Sequence, residues 1–128
     1  MGLKQQILEV RPKLAQAAQA VIDAWEQDED GYDEEFGTGG ACDAVAQAMS
    51  EVVGSSIPGA EVTDGGQDGN DHAFIIVYDE TEAWAVDIPP SVYETGGGYN
   101  WRKIPDARVD PDDVVVWKVD RELIPDWD

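Results

Sequence analysis

The sequence predicts an α+β fold, in which N-terminal helices and a central cysteine-bearing helix pack on a mostly antiparallel β-sheet. Apolar residues recur at helical spacing near the start of the chain, whereas the apolar runs at 73–78, 83–88 and 114–119 are short and rich in β-branched and aromatic residues. Because the helical segments come first and the strands follow, the order favours α+β over an alternating α/β arrangement.

The N-terminal helical segment is expected over residues 3–27. Pro12 suits the first turn of a helix, so a short helix is expected before it and a longer one after it. The longer helix carries an apolar stripe at spacings of four, three and four residues, formed by Leu14, Ala18, Val21 and Trp25.

A second long helix is expected over residues 41–53. Glycines at 37, 39 and 40 precede it, and Gly54 is placed to end it. Between the two helical segments, residues 26–35 are dominated by acidic side chains and predict a loop.

The second half of the chain predicts strands. Residues 54–71 are rich in Gly, Ser, Pro, Asp and Asn, and are expected to be mostly loop. Strands are expected at 73–78 and 83–88, joined by a turn at 79–81, and a last strand at 114–119.

Length and charge limit the class of protein. The chain has 128 residues, which predicts a single domain with an N-terminal helical part at 1–30 and a core at 37–120. Acidic residues number 28 against 8 basic ones, a net charge of −20. Such a surface repels nucleic acid and anionic membranes, so neither is expected as a partner. No leader sequence or long apolar run is present, so a cytoplasmic location is expected.

Cys42 is the candidate nucleophile. A thiol reacts as thiolate, and its pKa of about 8.5 falls at a helix N-terminus or beside an imidazolium. Cys42 is expected in the first turn of the second long helix, where unpaired N–H groups favour negative charge. The net charge of −20 acts against a thiolate, so local groups must outweigh it. A buried structural thiol is the alternative interpretation.

His72 and Asp87 are the candidate base and orienting acid. A carboxylate among the apolar neighbours of Asp87 needs a partner, because burying an unpaired charge is costly. A two-residue loop would pair Tyr78 with Thr81 and set His72 opposite Asp87, with Cβ atoms about 5 Å apart. A four-residue loop shifts the pairing by two residues but keeps the His72 and Asp87 side chains on the same face of the hairpin. A loop with an odd number of residues places them on opposite faces. Pairing of Asp87 with a Lys or Arg is the alternative.

Together these residues match the requirements of a thiol hydrolase, in which the base takes the thiol proton and the acid orients the imidazole. Three segments in this order resemble the papain-like superfamily of thiol enzymes: 39–42 (GGAC), 71–77 (DHAFIIV) and 84–87 (WAVD). That superfamily includes cysteine peptidases, transglutaminase-like proteins, arylamine acetyltransferases and toxin deamidases. The resemblance implies a papain-like fold and thioester chemistry at Cys42, with release by water or by an amine, as in a peptidase, amidase or deamidase. No cofactor is expected.

The oxyanion hole departs from the superfamily's pattern. Papain-like peptidases often have a Gln shortly before the Cys, and residues 31–41 contain none. The expected donors are the backbone N–H of Cys42 with Gln67, Tyr32 or another backbone amide. Five residues are candidates for contact with a peptide or protein substrate: Gly40, Trp84, Tyr93, Tyr99 and Trp101. Acidic walls suit a basic peptide or an amine-bearing substrate.

Two other classes of function remain open. The charge and small size also fit a non-catalytic acidic protein that imitates nucleic acid and inhibits a basic partner. A degenerate papain-like module would have the fold without a reactive thiol. A zinc enzyme is least favoured, because the dense Cys/His motifs of zinc sites are missing, and no metal is expected.

Overall fold

The structure is a computed structural model that describes residues 2–25, 42–64, 74–95 and 102–123. Within these ranges three α-helices accompany an antiparallel four-stranded sheet, which confirms the α+β prediction. No helix in the described ranges is both long enough and apolar enough to span a bilayer.

Helices α1 (Leu3–Glu9) and α2 (Arg11–Ala24) form the N-terminal part. Pro12 lies in the first turn of α2, where its missing N–H costs no helical hydrogen bond, as predicted. The buried face of α2 carries Leu14, Ala18 and Ile22. Three of the expected stripe residues, Leu14, Ala18 and Trp25, are buried, and Val21 is partly exposed.

Helix α3 (Cys42–Ser56) runs past its predicted end. Gly54 does not terminate it, because the helix continues for two more residues. Val53 is fully buried within the helix and Ile57 is buried directly after it, so packing on both sides of Gly54 outweighs the weak helix propensity of glycine. The buried face of α3 comprises Cys42, Val45, Ala46, Met49 and Val53.

The main sheet contains four strands in the order β1-β2-β3-β6. These strands are β1 (Glu61–Asp64), β2 (Ile75–Tyr78), β3 (Ala83–Asp87) and β6 (Val115–Val119). A separate two-stranded sheet pairs β4 (Glu94–Thr95) with β5 (Arg102–Lys103). Strand β1 was expected to be loop. It forms because its four residues pair with β2, a long-range contact that local composition does not reveal.

The β2–β3 hairpin has a four-residue loop. Tyr78 pairs with Ala83, so of the two even loop lengths considered from the sequence the four-residue loop is present and the two-residue loop, with Tyr78 paired to Thr81, is not. The loop has an even number of residues, which was the condition for positions 72 and 87 to share a face of an extended hairpin.

Asp79 stabilises this loop. Its carboxylate accepts hydrogen bonds from the backbone N–H groups of Thr81 (2.8 Å) and Glu82 (2.9 Å) and from the Thr81 hydroxyl (3.1 Å). Burial raises the pKa of Asp79, but these hydrogen bonds and the charge of Arg121 outweigh burial, so the pKa lies below its ordinary value. The Arg121 guanidinium also donates to the Asp79 carbonyl (2.6 Å).

The two faces of the main sheet differ. The inner face packs with the helices in the principal core through Ile75, Val77, Trp84, Val86 and Val116. The outer face carries the alternate residues. There Tyr78 and Ala83 form a smaller cluster with Ile76 and Val119.

Two long-range contacts attach later segments to α2. The Gln19 amide donates to the Ala107 carbonyl (3.0 Å) and accepts from the Val109 N–H (2.8 Å). The Lys103 ammonium donates to the Trp25 carbonyl at the end of α2 (3.1 Å). The β4–β5 sheet is thereby fixed beside the helical layer.

Candidate functional site

Cys42 is the first residue of α3, as predicted. The helix is 15 residues long, and its first turn presents N–H groups that no helical carbonyl accepts. Only 6% of Cys42 is exposed. The helix N-terminus favours a thiolate here, whereas burial and nearby carboxylates oppose it.

Asp87 is the last residue of β3. By strand alternation it belongs to the outer face with Ala83 and Ala85, and it pairs with Val115 of β6. It is buried, and it is one of only two buried charged residues in the described ranges. Its apolar neighbours are those expected from the sequence, whereas a strand end before Pro89 is also the position that the alternative, non-catalytic interpretation of Asp87 requires.

The charges of both Cys42 and Asp87 affect the pKa of a third buried residue, Tyr93. It follows a single 3-10 turn (Pro90–Val92), is fully buried, and its hydroxyl makes no hydrogen bond to any group in the structure. Burial raises the pKa of the Tyr93 hydroxyl above its ordinary value. Four ionisable side chains lie near enough to raise it further, in decreasing order of effect: Glu94, Cys42, Asp87 and Asp43.

The raised pKa of this phenol therefore reflects charges from two segments that are far apart in the sequence, Cys42 at the start of α3 and Asp87 at the end of β3.

Glu94 is the second buried charged residue, and the sequence analysis missed it. Only 4% of it is exposed, and its Oε2 atom has no hydrogen-bond partner among the residues that the structure describes. Burial raises the pKa of Glu94 to about 7. Its cross-strand neighbour is Lys103, whose ammonium donates to Trp25. Local sequence gave no sign of this burial, because the short strand β4 precedes a run of glycines typical of a loop.

Two of the predicted substrate contacts lie in the described ranges, and neither forms an exposed aromatic wall. Trp84 lies on the inner face, on the opposite side of β3 from Asp87. Its indole N–H donates to Glu82 (2.6 Å), and the Lys4 ammonium lies 5.2 Å from the ring centroid. The structure therefore does not bring Trp84 to Asp87. Tyr93 does belong to the site, but as a buried residue.

The remaining predicted residues lie outside the described residues. These are the candidate base His72, the oxyanion candidates Gln67 and Tyr32, and the substrate candidates Gly40, Tyr99 and Trp101. Their roles stay predictions.

The described part of the site contains a thiol, a phenol and carboxyl groups. Among the residues that the structure describes, no three metal-binding side chains are grouped as a metal site would require.

Comparison with known proteins gave no relative. No protein-family model, curated protein or solved structure matches this chain. The papain-like resemblance therefore stays a prediction from the sequence.

Proposed function

We propose that this protein is a cytoplasmic thiol-dependent hydrolase or acyl transferase, such as a peptidase, amidase or deamidase, with a papain-like arrangement of Cys42, His72 and Asp87. One observation supports the proposal above all others. A cysteine at the start of a long helix and a buried aspartate at a strand end both raise the pKa of the same buried phenol, Tyr93.

In the proposed reaction His72 removes the thiol proton and the Cys42 sulfur attacks a substrate carbonyl carbon. The backbone N–H of Cys42 donates to the resulting oxyanion. The C–N bond then breaks, the imidazolium gives its proton to the leaving amine, and a thioester remains. Water or an amine attacks the thioester with His72 again acting as base, which releases the acyl product and restores the thiol. Asp87 orients the imidazole throughout.

The electrostatics make His72 essential to this proposal. Asp43 follows Cys42 directly in the sequence, and the chain carries a net charge of −20, so the surroundings of the thiol are acidic. A thiolate here requires a cation close by, which the imidazolium would supply. The same acidity favours basic peptides or amines as substrates.

The test is the rate of Cys42 alkylation by iodoacetamide against pH, followed by mass spectrometry. The chain has one cysteine, so the signal belongs to Cys42 alone. We expect an apparent pKa clearly below about 8.5, the ordinary thiol value, that returns toward it in His72→Ala. Unfolded protein in urea gives the reference rate. A folded protein that titrates at or above the reference value, or that does not react at all, would overturn the proposal.

A non-catalytic acidic binding protein is the second candidate. It is favoured by the net charge and by the near-complete burial of Cys42. In that case Cys42→Ala would leave binding to a basic partner unchanged, and high salt would abolish binding.

A further inference from the structure

Within the described ranges, strand β6 leaves one main-chain edge of the sheet unpaired. It is the last strand in the order β1-β2-β3-β6, and among the described strands it pairs with β3 alone. The main-chain groups of Val115–Val119 make no further hydrogen bond to a residue that the structure describes. The N–H and C=O groups that point away from β3 can therefore pair with another extended chain.

The outer face of this edge is apolar and exposed. Val115 and Trp117 are 38% and 42% exposed, and among the described residues they are the two exposed large hydrophobic side chains. The Phe74 ring lies 5.4 Å from the Trp117 ring, centroid to centroid. We call Phe74, Val115 and Trp117 the β6 strip. It reaches the candidate site, because Val115 is the cross-strand neighbour of Asp87.

Acidic residues stand at both ends of β6. Three precede the strand and two follow it: Asp110, Asp112, Asp113, Asp120 and Glu122. Lys118 lies on the other face of the strand from Trp117 by alternation. A ligand with positive charges at its ends therefore meets opposite charge at each end of the strip. A second copy of this chain would bring another net charge of −20 to the same edge.

We propose that the β6 strip binds an extended peptide segment of another protein, with a β-branched apolar centre and basic residues at both ends. The segment adds a strand to the free edge of β6, and its alternate apolar side chains lie against Val115 and Trp117. Main-chain pairing gives affinity, and the flanking charges select basic segments. Binding does not depend on reaction at Cys42.

The test uses fluorescein-labelled peptides and fluorescence anisotropy with the Cys42→Ser chain. The probe is KKVTVTVKK. One control peptide, KKSTSTSKK, keeps the charge and removes the apolar centre, and another, EEVTVTVEE, reverses the charge. A further probe with N-methyl groups on alternate central amides blocks strand pairing. We expect binding of the first peptide only.

Trp117→Ser should weaken binding of KKVTVTVKK about tenfold or more, because exposed aromatic residues at the centre of an interface carry much of the affinity. Lys118→Ser is the matched control on the same strand and should change binding by less than about twofold. Trp117 is partly exposed, so the variant should fold, and circular dichroism checks this.

If Trp117→Ser and the parent chain bound KKVTVTVKK equally well, the proposal would be overturned. It would also be overturned if the parent bound KKSTSTSKK as tightly as KKVTVTVKK, because that would show attraction by charge alone. A dimer in sedimentation that Trp117→Ser abolishes and the peptide does not displace would assign the strip to a second copy and also overturn it. Because the assay uses Cys42→Ser, its result is separate from the alkylation test of the proposed function.

Discussion

In wild type the free energy of unfolding should fall as pH rises through the pKa of Glu94, and Glu94→Gln should abolish this fall. Burial raises the pKa of Glu94 from 4.5 to about 7. Between these pH values the folded chain keeps a proton that the unfolded chain has released, so the folded state binds more protons and stability falls with rising pH. The loss is complete above pH 7. One pKa unit corresponds to about 1.36 kcal/mol, so the upper limit of the loss is about 3 kcal/mol.

The free energy of unfolding of wild type and Glu94→Gln should be measured in urea, by tryptophan fluorescence, at several pH values from about 5 to 8. The Gln side chain has nearly the same shape and no charge to desolvate. We therefore expect the two proteins to be similar near pH 5, and the variant to be more stable by up to about 3 kcal/mol near pH 8.

Every acidic residue removed also relieves repulsion in a chain of net charge −20, so a matched control is needed. Glu61→Gln makes the same charge change at an exposed position on β1. Its difference from wild type should be small at every pH. If Glu94→Gln and Glu61→Gln gave the same pH profile, the burial argument for Glu94 would be wrong.

Further predictions concern stability, measured by urea or thermal unfolding. Gly54→Ala should stabilise the protein by about 0.5–1 kcal/mol, since Gly54 lies in a helix and a Cβ there meets no atom within 4 Å. Gly59→Ala should destabilise the protein by about 1 kcal/mol, because the backbone φ of Gly59 is 93°. Equal effects of the two substitutions would contradict this reasoning. Asp79→Ala should cost about 1–2 kcal/mol near neutral pH, and the difference should shrink as pH falls through the lowered pKa of Asp79. A variant as stable as wild type would show that the loop does not need these bonds. Tyr93→Phe should leave stability unchanged or raise it by about 1 kcal/mol, because it removes an unpaired buried hydroxyl. A clear loss would show that the hydroxyl has a partner.

The sequence predicts best what depends on neighbouring residues. Pro12 marks the break between α1 and α2 because its effect on helix geometry is local. The strands β2, β3 and β6 follow from short apolar, β-branched runs, and Cys42 falls at a helix start as the preceding glycines indicate.

What the sequence does not predict depends on contacts between distant segments. The strand β1 is short and polar, and exists through pairing with β2. The hairpin register follows from the hydrogen bonds of the Asp79 carboxylate, which favour a four-residue loop over the two-residue one. The burial of Glu94 is a tertiary feature of the short strand β4, which the local composition does not encode.

The net charge of this chain and the groups next to Cys42 affect the proposed thiolate over different distances. In the described ranges most acidic side chains are exposed, and salt screens such charges beyond about 8–10 Å. Groups that contact the thiol are screened far less, so the N-terminus of α3 and an adjacent imidazolium can stabilise a thiolate that the distant charges oppose. Burial raises the pKa of Glu94 to about 7, so below that pH its side chain is largely protonated and adds little negative charge to the surroundings of the thiol.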